Sequence, residues 1–378
     1  MSADRNHHSA VEFLTEHTAA MTDDLRRLVE QESPSDDRAL LNDLAAFLAG
    51  YAGETGGRPE MVSGTDGSRH LRVAWGRGGD PPTLLLGHYD TVWPAGTLAR
   101  MPFHIDGNRA YGPGSFDMKA GIVQGFWALR ALRETNNDPP VVFLLTSDEE
   151  TGSHGSRSLI EREAAAAERV FVLEPSHQGA LKTARKGVGQ YRITITGRAS
   201  HAGLAPQDGI SAIDELAHLI LRLHALSDAG TGSTVNVGVV SGGTRSNVVA
   251  AEATADVDVR FFTQSEADRL AEAIESLTPN NQGITLRIAG GINRPPLERT
   301  AASGALFEQA RAAAARLGFD LAEVAVGGAS DGNFCSALGV PVLDGLGAVG
   351  SGAHALDEHV ILDEMPRRAA LLAASLAG

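Results

Sequence analysis

The spacing of apolar residues changes character twice along this chain. Over residues 9–32, Val11, Leu14, Met21, Leu25, Leu28 and Val29 recur at near-helical intervals, and Ser33-Pro34-Ser35 ends the run. A second helix is predicted where Leu40, Leu41, Leu44, Phe47 and Leu48 form one apolar face. Residues 69–75 then read as a strand, a glycine-rich turn at 76–80 follows, and Thr83-Leu84-Leu85-Leu86 opens a continuous apolar run that stops at Gly87. Residues 141–146 and 169–173 are runs of the same kind. Unbroken apolar strands are covered on both faces, as in a parallel sheet. Between them, a hairpin turn is expected at Asp106-Gly107-Asn108. A helix is expected from near Lys119, with Ile122, Val123, Phe126, Leu129 and Leu132 on one side.

From residue 190 to 196 the period becomes two, with Tyr191, Ile193 and Ile195 set against Arg192, Thr194 and Thr196. Such alternation belongs to an antiparallel strand with one covered face. A helix over 211–226, strands over 234–240 and 251–261, a helix over 265–277 and a strand over 284–288 complete a β-α-β-β-α-β order, the split βαβ pattern. The chain returns to α/β character with a helix over 303–317, a helix opened by residues 327–333, a strand over 340–343 and a glycine-rich loop carrying His354. The expected division is 1–184 and 294–378 for one domain and 185–293 for an inserted one.

Each unbroken strand delivers a histidine or an acid at its carboxyl end, where open α/β sheets bind their ligands. The first gives His88 and Asp90, the second Glu149 and Glu150, the third Glu174. Asp117 precedes the helix near 119, where it reads either as a helix cap or as a site residue. His88 alone reads either as a surface histidine or as a metal ligand whose ring a carboxylate orients. Taken together, His88, Asp117, Glu150 or Glu149, Glu174 and His354 offer two imidazoles and several carboxylates. That donor set suits zinc, with Co2+ or Mn2+ as substitutes. It is too large for one open catalytic ion and fits two, roughly 3.5 Å apart, sharing a carboxylate and a bridging water as nucleophile. The other acid of the 149–150 pair is then free to take the water's proton. The remaining histidines, His70 and His359 among them, read mostly as surface or ordinary structural residues, and Asp331 as a supporting or helix-capping acid.

Composition narrows the class. With 378 residues, 43% of them hydrophobic, the chain can bury a large core, and a formal net charge of -15 argues against a nucleic-acid partner. Cys335 is the single cysteine, so no intrachain disulfide forms. The first twenty residues are polar, unlike a secretory signal, and no apolar run approaches membrane-spanning length, so a cytoplasmic protein is expected.

At this point the chain resembles the M20 family of metallopeptidases, in the branch of bacterial glutamate carboxypeptidases of the carboxypeptidase G type and related N-acyl-amino-acid deacylases. The blocks that carry the likeness are Gly87-His88-Tyr89-Asp90-Thr91-Val92, the segment from Gly112 to Gly121, Asp148-Glu149-Glu150-Thr151-Gly152-Ser153, Glu174-Pro175, Ala199-Ser200-His201-Ala202-Gly203, Gly328-Ala329-Ser330-Asp331 and His354, in family order. The resemblance implies a mostly parallel-sheet zinc-peptidase domain of α/β class with an inserted ferredoxin-like α+β lid that joins a homodimer. It implies two Zn2+ per chain, His88 and Glu174 on one, Glu150 and His354 on the other, Asp117 between them. Asp90 would orient His88, and Glu149 would be the general base. His201 would reach the neighbouring subunit's site, while Asn247, Arg260 and Arg294 would bind the substrate's carboxylate. A cis Asp117–Met118 peptide is implied as well. Relatives of the glutamate-cleaving type carry a lysine soon after the Glu-Pro step; here Ala180 stands there, with Lys182 and Arg185 nearby. Two substrate classes stay open, C-terminal residues of peptides or folate-like conjugates and N-acyl amino acids. Outside catalysis, the same fold could serve as an amino-acid-binding module.

Overall fold

The computed structural model describes residues 10–76 and 80–377. Residue 9, His7, His8 and positions 77–79 of the expected turn lie outside the described residues. The chain divides into two compact units, one of Met1–Thr183, Arg299–Ala325 and Ser330–Gly378, the other of Ala184–Glu298 and Val326–Ala329. The second unit therefore runs beyond the expected 185–293. Arg185 supplies the reason: its backbone exchanges hydrogen bonds with Leu297 (2.9 and 3.1 Å), and its guanidinium donates to the carbonyls of Gly328 (3.2 Å) and Ala329 (3.1 Å).

A helical stretch at 10–16 precedes α1 (Thr18–Val29). Helix α2 (Arg38–Glu54) starts where the Asp37 carboxylate accepts from the N–H groups of Ala39 and Leu40. Strands β1 (Arg58–Ser63), β2 (Arg69–Trp75) and β3 (Thr83–His88) follow, then β4 (His104–Asp106) and β5 (Arg109–Tyr111), paired about the predicted turn. Helix α3 (Ala120–Glu134) leads to β6 (Val141–Thr146), and α4 (Arg157–Ala165) to β7 (Arg169–Val172). After β8 (Leu181–Arg185) come β9 (Gly187–Thr196), α5 (Ala212–His224), β10 (Thr234–Gly242), β11 (Glu252–Phe261), α6 (Gln264–Glu275) and β12 (Thr285–Arg294). The chain closes with α7 (Ala301–Arg316), β13 (Glu323–Val326), α8 (Gly332–Ala337), β14 (Val342–Leu343), β15 (Gly350–Ser351), β16 (His359–Ile361) and α9 (Glu364–Leu376).

The main sheet of the first unit has the order β1-β2-β6-β3-β7-β14. β6, β3, β7 and β14 run parallel, and β2 and β1 add antiparallel pairs at one side. Every residue of β3 and β6 is buried, as unbroken apolar runs require. Helix α3 is buried along almost its whole length because Gly121 lets it lie directly against the end of β7; a Cβ there would run into the Leu173 carbonyl oxygen. That approach brings the loop before α3 to the strand ends. β1 and α9 are absent from the sequence reading. β1 is an exposed edge whose residues carry no apolar period. α9 is an alanine-rich helix with buried residues around most of its circumference, so no polar stripe marks it.

The second unit holds an antiparallel sheet in the order β10-β11-β9-β12 with its own core. Tyr191, Ile193 and Ile195 of β9 and alternate residues of β11 pack with Leu216, Leu219 and Leu223 of α5 and Leu270 and Ile274 of α6. The strand order and the two helices are those of the split βαβ pattern.

Candidate active site

His88 is the last residue of β3 and only 1% exposed. Its Nδ1 pairs with the backbone carbonyl of Asp90 at 3.0 Å, which leaves Nε2 facing Asp117 Oδ1 at 3.3 Å and Glu174 Oε1 at 3.4 Å. The Asp90 carboxylate stands 3.4 Å from Nδ1 and is fully buried. It accepts from the Ser35 hydroxyl (2.8 Å) and from the N–H groups of Glu149 and Glu150 (3.2 Å each). Both the carbonyl and the carboxylate of Asp90 thus stand beside His88 Nδ1, and the carboxylate also holds the loop after β6.

Asp117 lies in a single wide turn, Ser115–Lys119, which begins at Gly114 with φ 69°. Its own φ and ψ of -114° and 93° are not helical, Lys119 occupies the cap position of α3, and the Asp117–Met118 peptide is cis. The helix-cap reading of Asp117 is therefore set aside. Its second oxygen, Oδ2, is 3.6 Å from His354 Nε2, which in turn is 3.3 Å from Glu150 Oε1. That Glu150 oxygen is buried and, the His354 contact aside, has no hydrogen-bond partner among the described residues.

Burial opposes charge on His88, but Asp117, Asp90 and Glu174 together hold it well above the ordinary imidazole range. Asp117 and Glu150 push His354 up to about 10. Burial works to raise Asp117, yet the two histidines hold it below the usual carboxylate range, and burial raises Glu150. The cluster is thus a set of acids in want of cations. Donor atoms of His88, Glu149 and Glu174, and again of His88, Asp117 and Glu150, lie within 4.8 Å of one another. Ligands at the corners of a tetrahedron with bonds of about 2.0–2.1 Å sit about 3.3–3.4 Å apart. The separations of 3.3 to 3.6 Å, and a buried Glu150 oxygen that faces His354, therefore fit divalent metal.

These seven residues belong to the first unit; His201, Asn247, Arg260 and Arg294 belong to the second. His201 is exposed, and its Nδ1 accepts from the N–H groups of Gly203 and Leu204 (3.1 Å each), leaving Nε2 as the donor. Asn247 is exposed, Arg260 is forked onto Asp258 (2.9 Å), and Arg294 is buried at the end of β12. Asp331 precedes α8 but does not cap it: its carboxylate accepts from the hydroxyls of Thr146 (3.2 Å) and Ser153. Ala180 sits in a tight turn with His177, and the Arg185 guanidinium is committed to backbone carbonyls.

Glu358 escaped the sequence reading, and His70, read there as a surface or ordinary structural histidine, stands directly behind the site. His70 is fully buried, held neutral by that burial, and its Nδ1 accepts from Ser147 N–H at 3.3 Å just ahead of Glu149. Glu358, also fully buried, accepts from the backbone N–H groups of Gly114, Phe116 and Asp117. A histidine in an apolar strand and an acid four positions after His354 carry no periodic signal; only their depth marks them.

A family model described as Peptidase family M20/M25/M40 matches residues 84–377. Carboxypeptidase G2 of Pseudomonas sp. (strain RS-16) is 31% identical over 365 residues, covering 94% of this chain and 88% of that protein. Succinyl-diaminopimelate desuccinylase of Delftia acidovorans (strain DSM 14801 / SPH-1) is 29% identical over 330 residues, 80% of this chain and 84% of that one. The crystal structure of aminopeptidase PepT from Bacillus cereus ATCC 10987 superposes with a TM-score of 0.80 at 23% identity, over 95% of this chain and 98% of that one.

Proposed function

This chain belongs to peptidase family M20/M25/M40, a metal-dependent family of peptidases and amidohydrolases, and we propose that within it the chain is a dinuclear zinc hydrolase. Its reaction is cleavage of an amide bond beside a free carboxylate, releasing a C-terminal amino acid. One observation carries the reading: Asp117 turns one carboxylate oxygen to His88 and the other to His354, and each histidine has a second acid of its own, Glu174 and Glu150. His88 and Glu174 would hold one ion, Glu150 and His354 the other, and Asp117 both, with Co2+ or Mn2+ as substitutes. Bound there, the ions would polarise the amide carbonyl and lower the pKa of a water molecule so that, once deprotonated, it is a nucleophile at neutral pH. Glu149 takes that water's proton and returns it to the leaving amine. Asn247, Arg260 and Arg294 bind the substrate carboxylate, and His201 Nε2 donates to the developing oxyanion.

A second reading has its own support. No lysine follows Glu174-Pro175 at the position filled by Ala180, and one similar protein is a desuccinylase, so removal of an acyl group from an N-acyl amino acid stands beside C-terminal cleavage. A panel of peptides, folate-like conjugates and N-acyl amino acids, read by amino-acid release, separates the two. Elemental analysis alongside it should give close to two metals per chain, and chelation should abolish release. Full activity in metal-free protein overturns the dinuclear reading.

The same proposal includes a homodimer joined through the second unit. That unit leaves β10 and β12 as sheet edges, and Val239 and Val240 of β10 are exposed, 59% and 56%. Unpaired edges of this kind invite pairing with another copy.

A further inference from the structure

The carboxylate of Glu358 is surrounded by four N–H donors. Oε1 accepts from the backbone N–H groups of Phe116 (2.9 Å) and Asp117 (3.0 Å). Oε2 accepts from Gly114 N–H (2.9 Å) and the Trp93 indole N–H (2.8 Å). None of these donors is a cation, although a buried carboxylate is ordinarily paired with one. The backbone of Glu358 is engaged too: its carbonyl accepts from Gly112 N–H (3.3 Å), and its N–H donates to Ala355 (3.0 Å), closing the turn that follows His354. One residue therefore fastens both the loop that carries Asp117 and the loop that carries His354.

The wide turn at 115–119 explains the need. Buried backbone N–H groups require partners, and a turn that is neither helix nor strand supplies few of its own. Glu358 stands in for the missing carbonyls at 114, 116 and 117 at once. Two of its bonds fall on consecutive peptides, those on either side of the Phe116 Cα, and the second of these carries the Asp117 Cα, so the point from which the Asp117 side chain starts is held. Asp117 can divide its two oxygens between His88 and His354 only from a defined origin.

We propose that Glu358 is the positioning residue for Asp117, setting the bridging carboxylate between the two metal positions without binding metal itself. The proposal rests on the metal-centre reading of Asp117. Its closest test uses the full-length chain, wild type and Glu358→Gln, loaded with Co2+. Glutamine keeps the size of the side chain but turns an NH2 toward N–H donors. The expected result is a loss of about ten-fold or more in affinity for the weaker-bound cobalt, the scale typical of outer partners of metal ligands. The visible cobalt absorption should change with it, and kcat should fall while KM moves little. A merely structural role predicts something else: a lower melting temperature of the metal-free variant, with wild-type cobalt affinity and spectrum, and that result overturns the proposal. Trp93→Phe covers the case in which Glu358→Gln does not fold. It removes one donor and should give a smaller loss of the same sign with an altered spectrum; unchanged affinity and spectrum again overturn the proposal. If wild type takes up no cobalt, the metal reading of Asp117 falls and the positioning role falls with it. If wild type binds two ions and the variants match it, the positioning role alone is wrong.

Discussion

Glu149 and Glu150 are adjacent in sequence, and their N–H groups share one anchor, the Asp90 carboxylate. Their side chains nevertheless join different donor groups, Glu149 with His88 and Glu174, Glu150 with His88 and Asp117. Glu150 also lies beside His354, with an oxygen that nothing else among the described residues satisfies. This separation predicts opposite failures. Glu149→Gln should lower turnover about a hundred-fold or more, because glutamine cannot accept the water's proton, while both metals stay bound. Glu150→Gln should release metal. Parallel metal analysis and kinetics decide the matter: if Glu149→Gln strips metal and Glu150→Gln keeps it, the two roles are reversed.

Among the elements, α6 shows how a local rule and a distant partner combine. Thr263 caps it by accepting from Glu266 N–H, and Glu266 in the first turn accepts from Ser233 (2.7 Å), from Thr231 (3.0 Å) and from Arg269 one turn on. Arg269, then Ser233, lower the Glu266 carboxyl from its ordinary 4.5 to about 2. A depressed carboxyl contributes stability that is present above the unfolded value and fades as pH falls from about 4.5 through about 2. Glu266→Gln should therefore be less stable than wild type in urea titrations near neutrality, and the gap should close on acidification through that window. A gap that stays constant with pH would mean that the loss comes from packing. The hydrogen bonds to Ser233 and Thr231 tie the helix to the turn just before β10 and could not be read from the helix alone, whereas the helix itself was expected over 265–277.

At the scale of the whole molecule, the proposed dimer makes the sharpest demand, since it asks His201 to serve a site in another copy. Mixing inactive His201→Ala with inactive Glu149→Gln should form heterodimers with one complete site and recover part of the activity. Verified heterodimers that stay inactive, together with a fully active monomeric variant, would rule the exchange out. Period and composition by themselves determined the unbroken strands, the alternating sheet and the residues at the strand ends, because burial on one face or two dictates residue type position by position. They also placed His88, Glu149, Glu150 and Glu174 at one edge of a parallel sheet, where chain direction alone decides which ends meet. The pairing of those groups needed the tertiary structure. That both the carbonyl and the carboxylate of Asp90 stand beside His88, which acid faces which histidine, and that Asp331 holds the loop after β6 instead of capping α8 are matters of ångströms between loops. Glu358 makes the reason plain: it meets the Asp117 N–H across 241 positions of chain. A contact of that span leaves no local pattern, since it exists only once the two loops are folded against each other.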